Sequence, residues 1–242
     1  MEAKVNLVPH KIYDVTFLER VIVKINFNAE VDDKYEVLKQ FFQDNFNLEL
    51  DSEKFELFKI KFLRISGNNG VISLKFSKSF IQIRLERDFY RSFEESMIPY
   101  LNAIYSLMAK INGSIEKISI KKVNLWPVDM SENADYYDVL KKIFNSNLTD
   151  NLPEEKPEEF ALSIPNKTGE DKHSLVITFG FVRNSVDDQL PTAILDIEGI
   201  CEYIDKLDSK NIESTFKEIN QDIFNVYHWA VTDQVINVMN GN

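Results

Sequence analysis

The chain of 242 residues holds one cysteine, Cys201, and three histidines. A lone thiol forms no internal disulfide, which suits a reducing cytoplasm, and so few cysteines and histidines exclude a structural zinc site. No GxxxxGK[ST], GxGxxG, GxSxG, HExxH, CxxC or EF-hand pattern occurs. The backbone cradles for phosphate, the exposed serine elbow and the common metal sites therefore have no local signature, and no metal or organic cofactor is expected. Glycine and proline are scarce at 7 each, which argues for regular elements with short connections and against disorder. No apolar run approaches the roughly 20 residues that span a bilayer. The opening Met1-Glu2-Ala3-Lys4 runs into mixed sequence without the apolar core of a signal peptide.

Positive charge is also short. Against 39 Asp and Glu stand 28 Lys and Arg, a net charge of −11. Such a chain repels nucleic-acid phosphates and anionic membranes unless a local basic patch exists. Lys117, Lys121 and Lys122 lie close together on one predicted strand, and read as a solvated strand face. Nucleic acid is thus not expected as a partner; another protein is, or a second copy of the chain.

What is present is apolar periodicity. Apolar residues make up 44%, with 18 phenylalanines. Val21, Val23, Ile25 and Phe27 alternate with polar neighbours as a half-buried strand does. Asp32 and Asp33 then open a helix carrying Tyr35, Leu38, Phe41 and Phe42. Three strands are expected around Phe58–Phe62, Ile72–Phe76 and Ile81–Leu85, the first two joined by a turn at Asn69-Gly70. A helix carries Phe93, Met97, Leu101, Ile104 and Met108. Pro99 either kinks it or marks the start of its regular part, and Asn112-Gly113 ends it. The order then restarts. In the strand from Ile118 to Leu125 the apolar phase slips near Lys121-Lys122, which predicts a β-bulge. A helix with Tyr137, Leu140, Ile143 and Phe144 follows, then an acidic connector over 147–159. Strands are expected near 160–164, 175–181 and 193–197, and a long helix over 208–239 presents Ile212, Phe216, Ile219, Ile223 and Val226 on one face.

This is an α+β pattern, two duplicated β-α-β-β-β-α units with antiparallel sheets and helices on one sheet face. The halves would be 1–113 and 114–242, able to join edge to edge into one continuous domain. Strands 160–165 and 193–201 are expected at sheet edges, open to a partner strand.

Candidate chemistry is thin. Arg84, Arg87 and Arg91 cluster where a strand passes into a helix, and can hold an anion or pair with Glu86, Asp88, Glu94 and Glu95. His228, in Phe224-Asn225-Val226-Tyr227-His228-Trp229, is the most interesting histidine; His10 and His173 read as exposed. Asp196 and Glu198 project from one strand face, as paired carboxylates for a cation or as a solvated face. Asp187-Asp188 reads as turn chemistry, and Trp126 and Trp229 as packing. The ligand-binding candidates are therefore Arg84, Arg91 and His228, with no catalytic and no metal-ligating residue.

Several segments together resemble a known family. Phe80-Ile81-Gln82-Ile83-Arg84 through Phe89-Tyr90-Arg91-Ser92-Phe93-Glu94 is similar to a strand followed by a YPRFE-like stretch, although proline is missing. Ile118 to Leu125 resembles a "GLRYIN-I" strand with Lys121-Lys122 in place of arginine-tyrosine. Ala193 to Glu198 resembles "LILDID", and Asp222 to Asp233 a terminal aromatic helix. The resemblance is to a sporadically distributed prokaryotic family of uncharacterised proteins of similar length. It implies a bacterial, cytoplasmic protein and transfers no catalytic residue. The function expected is a non-catalytic protein-binding or assembly module; the alternative is an enzyme or small-ligand-binding protein with a site near Arg84 or His228.

Overall fold

The computed structural model describes residues 8–9, 12–28, 40–41, 44, 51–57, 60–67, 72–76, 80–128, 135–150, 159–165, 173–182, 192–202 and 209–241, with the backbone alone over 51–57, 60–67, 72–76, 136, 159–165, 182 and 209–211. The expected helix from Asp32 lies outside these residues apart from helical Gln40, Phe41 and Asp44; the Asn69-Gly70 turn, His10, the Asp187-Asp188 loop and positions 151–158 of the acidic connector also lie outside them.

The strands are β1 (Leu18–Asn28), β2 (Asp51–Leu57), β3 (Ile60–Gly67), β4 (Ile72–Phe76), β5 (Phe80–Glu86), β6 (Ser114–Pro127), β7 (Glu159–Pro165), β8 (His173–Val182) and β9 (Thr192–Glu202). They form one antiparallel sheet in the order β2-β3-β4-β5-β1-β6-β9-β8-β7. The helices are α1 (Phe93–Ser96), α2 (Ile98–Lys110), α3 (Tyr136–Ile143), α4 (Ser146–Thr149), α5 (Ser209–Ala230) and α6 (Asp233–Met239), and a 3-10 turn spans Arg87–Phe89. The α+β class is as expected. The strand order mirrors about the central β1–β6 pair, β3-β4-β5-β1 against β7-β8-β9-β6, while β2 adds a strand with no counterpart. This order is a symmetry of strand placement and does not establish the duplication expected from sequence. The expected edge at 193–201 is corrected: β9 is bonded on both sides, to β6 and β8, and β7 is the edge.

The core lies on one sheet face. Along β1, Val21, Val23, Ile25 and Phe27 are buried, while Ile22, Lys24 and Asn26 point the other way. Ile81, Ile83 and Leu85 of β5, Ile118 and Ile120 of β6, and Leu195 and Ile197 of β9 continue the same face. Helix α5 covers it with Ile212, Phe216, Ile219 and Ile223, all buried. Gly199 is what lets this helix come so close: a Cβ there would sit 2.3 Å from Ile219 Cγ2.

Local chemistry sets the helix ends. Ser92 Oγ accepts from the Glu95 amide at 3.1 Å and caps α1. The helix breaks at Met97, and Pro99 falls in the first turn of α2, where its missing amide proton costs nothing. At the far end Asn112 takes a positive φ of 51° and the Gly113 amide donates to Met108 O at 2.9 Å, a Schellman closure. The single long C-terminal helix is corrected to two. Ala230 O accepts from the Asn145 amide (2.7 Å) and Thr232 N donates to Ile143 O (2.9 Å), so the α3–α4 link is stitched into the break. Thr232 then caps α6 through the Val235 amide. The connector shortens too, because Ser146–Thr149 is helical with Leu148 and Thr149 buried. Among the described residues no helix is long and apolar enough to cross a membrane.

Candidate functional site

The β6–β9 register runs without a shift from Lys117↔Glu202 to Pro127↔Thr192. The irregularity expected near Lys121-Lys122 is present in the β1–β6 pairing but not in β6 itself: the register shifts between Leu18 and Arg20, opposite Asn124 and Val123, so the extra residue is on β1, and a second shift falls between Asn26 and Phe27. Strict alternation then places Lys122, Asn124 and Trp126 on the same face as Ile118 and Ile120, which is the core face. The apparent phase slip is two polar residues standing in an apolar row. Lys122 is flanked in register by Val21 on β1 and Ile197 on β9, both 0% exposed. The next neighbours outward are Leu85 and Ile177, both also buried.

Lys122 and Asn124 project into a cavity of about 570 Å³. One wall is the N-terminal segment, through Ile12, Tyr13, Thr16 and Leu18. This segment is strapped to the helices. Val8 N donates to Asn225 Oδ1 (3.0 Å), Gln221 Nε2 donates to Val8 O (2.9 Å), and Val15 N donates to Met239 O (3.2 Å). Tyr13 Oη and His228 Nε2 are 2.5 Å apart, with the Phe224 ring 4.7 Å from the imidazole. The second wall is the turn between β5 and α1, through Arg87, Tyr90, Arg91, Ser92 and Glu95. The floor is α5 and α6, through Ile223, Phe224, Tyr227 and Met239.

Three cations line this space against one carboxylate, Glu95. The Lys122 ammonium lies 5.4 Å from the centre of the Tyr90 ring. Among the described residues no carboxylate is within ion-pairing distance of Lys122 or Arg91, whereas Lys117 pairs with Glu202 at 2.7 Å and Lys121 with Asp196 at 2.5 Å. Desolvation pulls the Lys122 amine down to about 8, partly opposed by the nearby charge of Glu94. Burial raises the phenols of Tyr13, Tyr90 and Tyr227, the last two strongly, so all three stay protonated and able to donate. Asn124 Nδ2 is already committed to Leu195 O at 3.2 Å.

The structure separates the residues singled out from sequence. Arg91 and Arg87 line the cavity, and His228 stands behind it, holding Tyr13. Arg84 is on the opposite sheet face, paired with Glu86. The lysine cluster is split: Lys117 and Lys121 face away from the core, and Lys122 faces into it. His173 is corrected from exposed to 6% exposed, 2.5 Å from Asp222. Asp196, also buried, is held by Lys121. Lys122, Tyr13 and Tyr90 were missed as site residues. The signal for Lys122 was there, a lysine at the in-phase position between Ile120 and Trp126.

No family model and no curated protein matches the chain, in keeping with its resemblance to an uncharacterised family. Among solved structures it is similar to that of a rolling circle replication initiator protein from Geobacillus stearothermophilus, at 12% identity and a TM-score of 0.30, over 85% of this chain and 78% of that one. The printed name of that neighbour, a replication initiator, runs against two expectations drawn from composition: that the chain is a non-catalytic protein-binding or assembly module, and that a protein or a second copy, and not nucleic acid, is its partner. The physical fault in both is the same. A net charge of −11 is a sum over the whole surface and does not describe a local site that gathers Lys122, Arg87 and Arg91. At that TM-score the likeness carries no argument for a particular activity.

Proposed function

We propose that this protein binds a small organic anion in the cavity between the N-terminal segment, the β5–α1 turn and α5. The observation that carries the reading is Lys122, an ammonium on the core face of the central strand with no carboxylate in ion-pairing distance among the described residues. Leaving a desolvated cation without a counter-ion is costly, and an anion entering the cavity removes that cost. Arg91 and Arg87 extend the same sign toward the rim, and Arg guanidinium suits carboxylate or phosphate. The aromatic and aliphatic side chains of Tyr13, Phe224, Tyr227 and Ile223 suit an apolar or aromatic body. The volume is that of a site for a small molecule. His228 serves here as a positioning residue, fixing the Tyr13 hydroxyl at the wall. A cytoplasmic setting, in which Cys201 stays a thiol, belongs to the same reading. The test is a thermal-shift screen of aromatic carboxylates and phosphates against neutral analogues of equal size. Anions raise Tm and neutral analogues do not; equal shifts for both, or none for any anion, would refute the reading.

A further inference from the structure

The same site holds a reactive group that anion binding alone does not use. An amine nucleophile must be uncharged to attack, and two things favour that form at Lys122. It stands in a row of buried apolar residues, Val21 on one side and Ile197 on the other. No carboxylate among the described residues is within ion-pairing distance of it, in contrast to Lys117 and Lys121, and the nearby charge of Glu94 only partly favours the ammonium. Desolvation acts in the same direction, so a substantial fraction of neutral amine exists near pH 8. Arg91 and Arg87 remain to hold the anionic end of a ligand while Lys122 meets another part of it.

We propose that Lys122 is a covalent site, at which its ε-amino group condenses with the carbonyl carbon of a small aldehyde or ketone that also bears a carboxylate or phosphate. The step balances without a redox partner. The neutral amine adds to the carbonyl carbon, the C–O π bond breaks, and a proton moves from nitrogen to oxygen to give a carbinolamine. Expulsion of that hydroxyl with a proton as one water leaves the C=N bond of the imine. Tyr90, whose phenol stays protonated, lines the wall as a proton donor to the departing oxygen.

The inference rests on the anion-binding reading, and the experiment keeps the two apart. The full chain is incubated at pH 8 with 4-carboxybenzaldehyde and sodium cyanoborohydride, which reduces the imine to a stable secondary amine, and the product is mapped by peptide mass spectrometry. Lys122 is expected to be modified at least about tenfold faster than the average of the other lysines. An excess of 4-methylbenzoate, which has the anion but no carbonyl, should suppress that labelling. Lys122→Arg has no nucleophilic amine, so it should lose the adduct. Labelling spread evenly over the lysines and unaffected by 4-methylbenzoate overturns the covalent site. If 4-methylbenzoate nonetheless binds, the anion-binding reading survives; if it does not, both fall. Because site mapping and competition are read on the wild-type chain, the test stands even if the variant does not fold.

Discussion

Replacing Lys122 by methionine should stabilise the unliganded protein at neutral pH, by an amount that disappears as the solution is made alkaline. In the unfolded chain the amine holds its proton up to about 10.5; in the folded protein it gives it up near 8. Between those values the unfolded state binds more protons, so the stability of the wild type rises with pH across that window. Below about pH 8 the full penalty of the desolvated ammonium is present, and above about 10.5 none remains. At about 1.4 kcal/mol per tenfold change in proton affinity, the upper bound is about 3 kcal/mol. The ammonium is half-buried and reaches solvent through the cavity, so about 1–2 kcal/mol is the expected value. The charged and titratable neighbours are Arg87, Arg91, Glu94, Glu95, Tyr13, Tyr90 and Tyr227, and burial raises all three phenols, those of Tyr90 and Tyr227 strongly. Methionine is nearly isosteric with the lysine stem and suits the same row between Val21 and Ile197. Urea unfolding of both proteins at intervals from pH 7 to pH 10.5 reads the difference directly. Lys122→Met should be more stable at pH 7, with the gap closing toward pH 10.5. A gap that is constant with pH, or a variant less stable at pH 7, would refute the claim that Lys122 is a desolvated cation without a partner.

Other substitutions test the frame around the cavity. Phe216, 0% exposed and 6.5 Å from the Phe93 ring, should cost about 3–5 kcal/mol on truncation to alanine, and chemical denaturation reads this. Gly199→Ala forces a methyl to 2.3 Å from Ile219 Cγ2; the shift of α5 that follows should cost about 1–3 kcal/mol, read by the same assay. Tyr13→Phe removes the hydroxyl facing His228 and should lower stability by about 0.5–1.5 kcal/mol, with the loss seen as a drop in Tm.

The fold was legible where one strand or helix carries its own pattern. Alternation in Val21 to Phe27 and in Ile81 to Leu85 located two strands of the core face, and the Pro99 and Asn112-Gly113 signals located the limits of α2. What lay outside reach depends on pairing between distant segments. β2, Asp51-Ser52-Glu53-Lys54-Phe55-Glu56-Leu57, is mostly charged and polar, and becomes a strand because β3 offers it a ladder. The internal position of β9 is set by β6 on one side and β8 on the other, and no feature of residues 192–202 alone announces it. The break in the C-terminal helix comes from Ile143 and Asn145, some 90 residues away. The site was hardest, because a lysine in phase with apolar residues imitates a bulge. Two explanations fit the sequence Ile118-Ser119-Ile120-Lys121-Lys122-Val123, and only the unbroken register against β9 separates them. Arg84 and Arg91 look adjacent along the chain, yet strand alternation and the turn after Glu86 send them to opposite sides of the sheet.

The central claim is that the cavity takes an organic anion through Lys122 and Arg91. Isothermal titration of 4-methylbenzoate and phenyl phosphate into the wild type, the Lys122→Met/Arg91→Met double variant and Arg84→Ala tests it most directly. The account predicts saturable binding to the wild type, the same affinity for Arg84→Ala, whose side chain is on the far face of the sheet, and a loss of at least about tenfold, about 1.4 kcal/mol, for the double variant. Equal affinity in all three proteins, or no binding of either anion to the wild type, would contradict it.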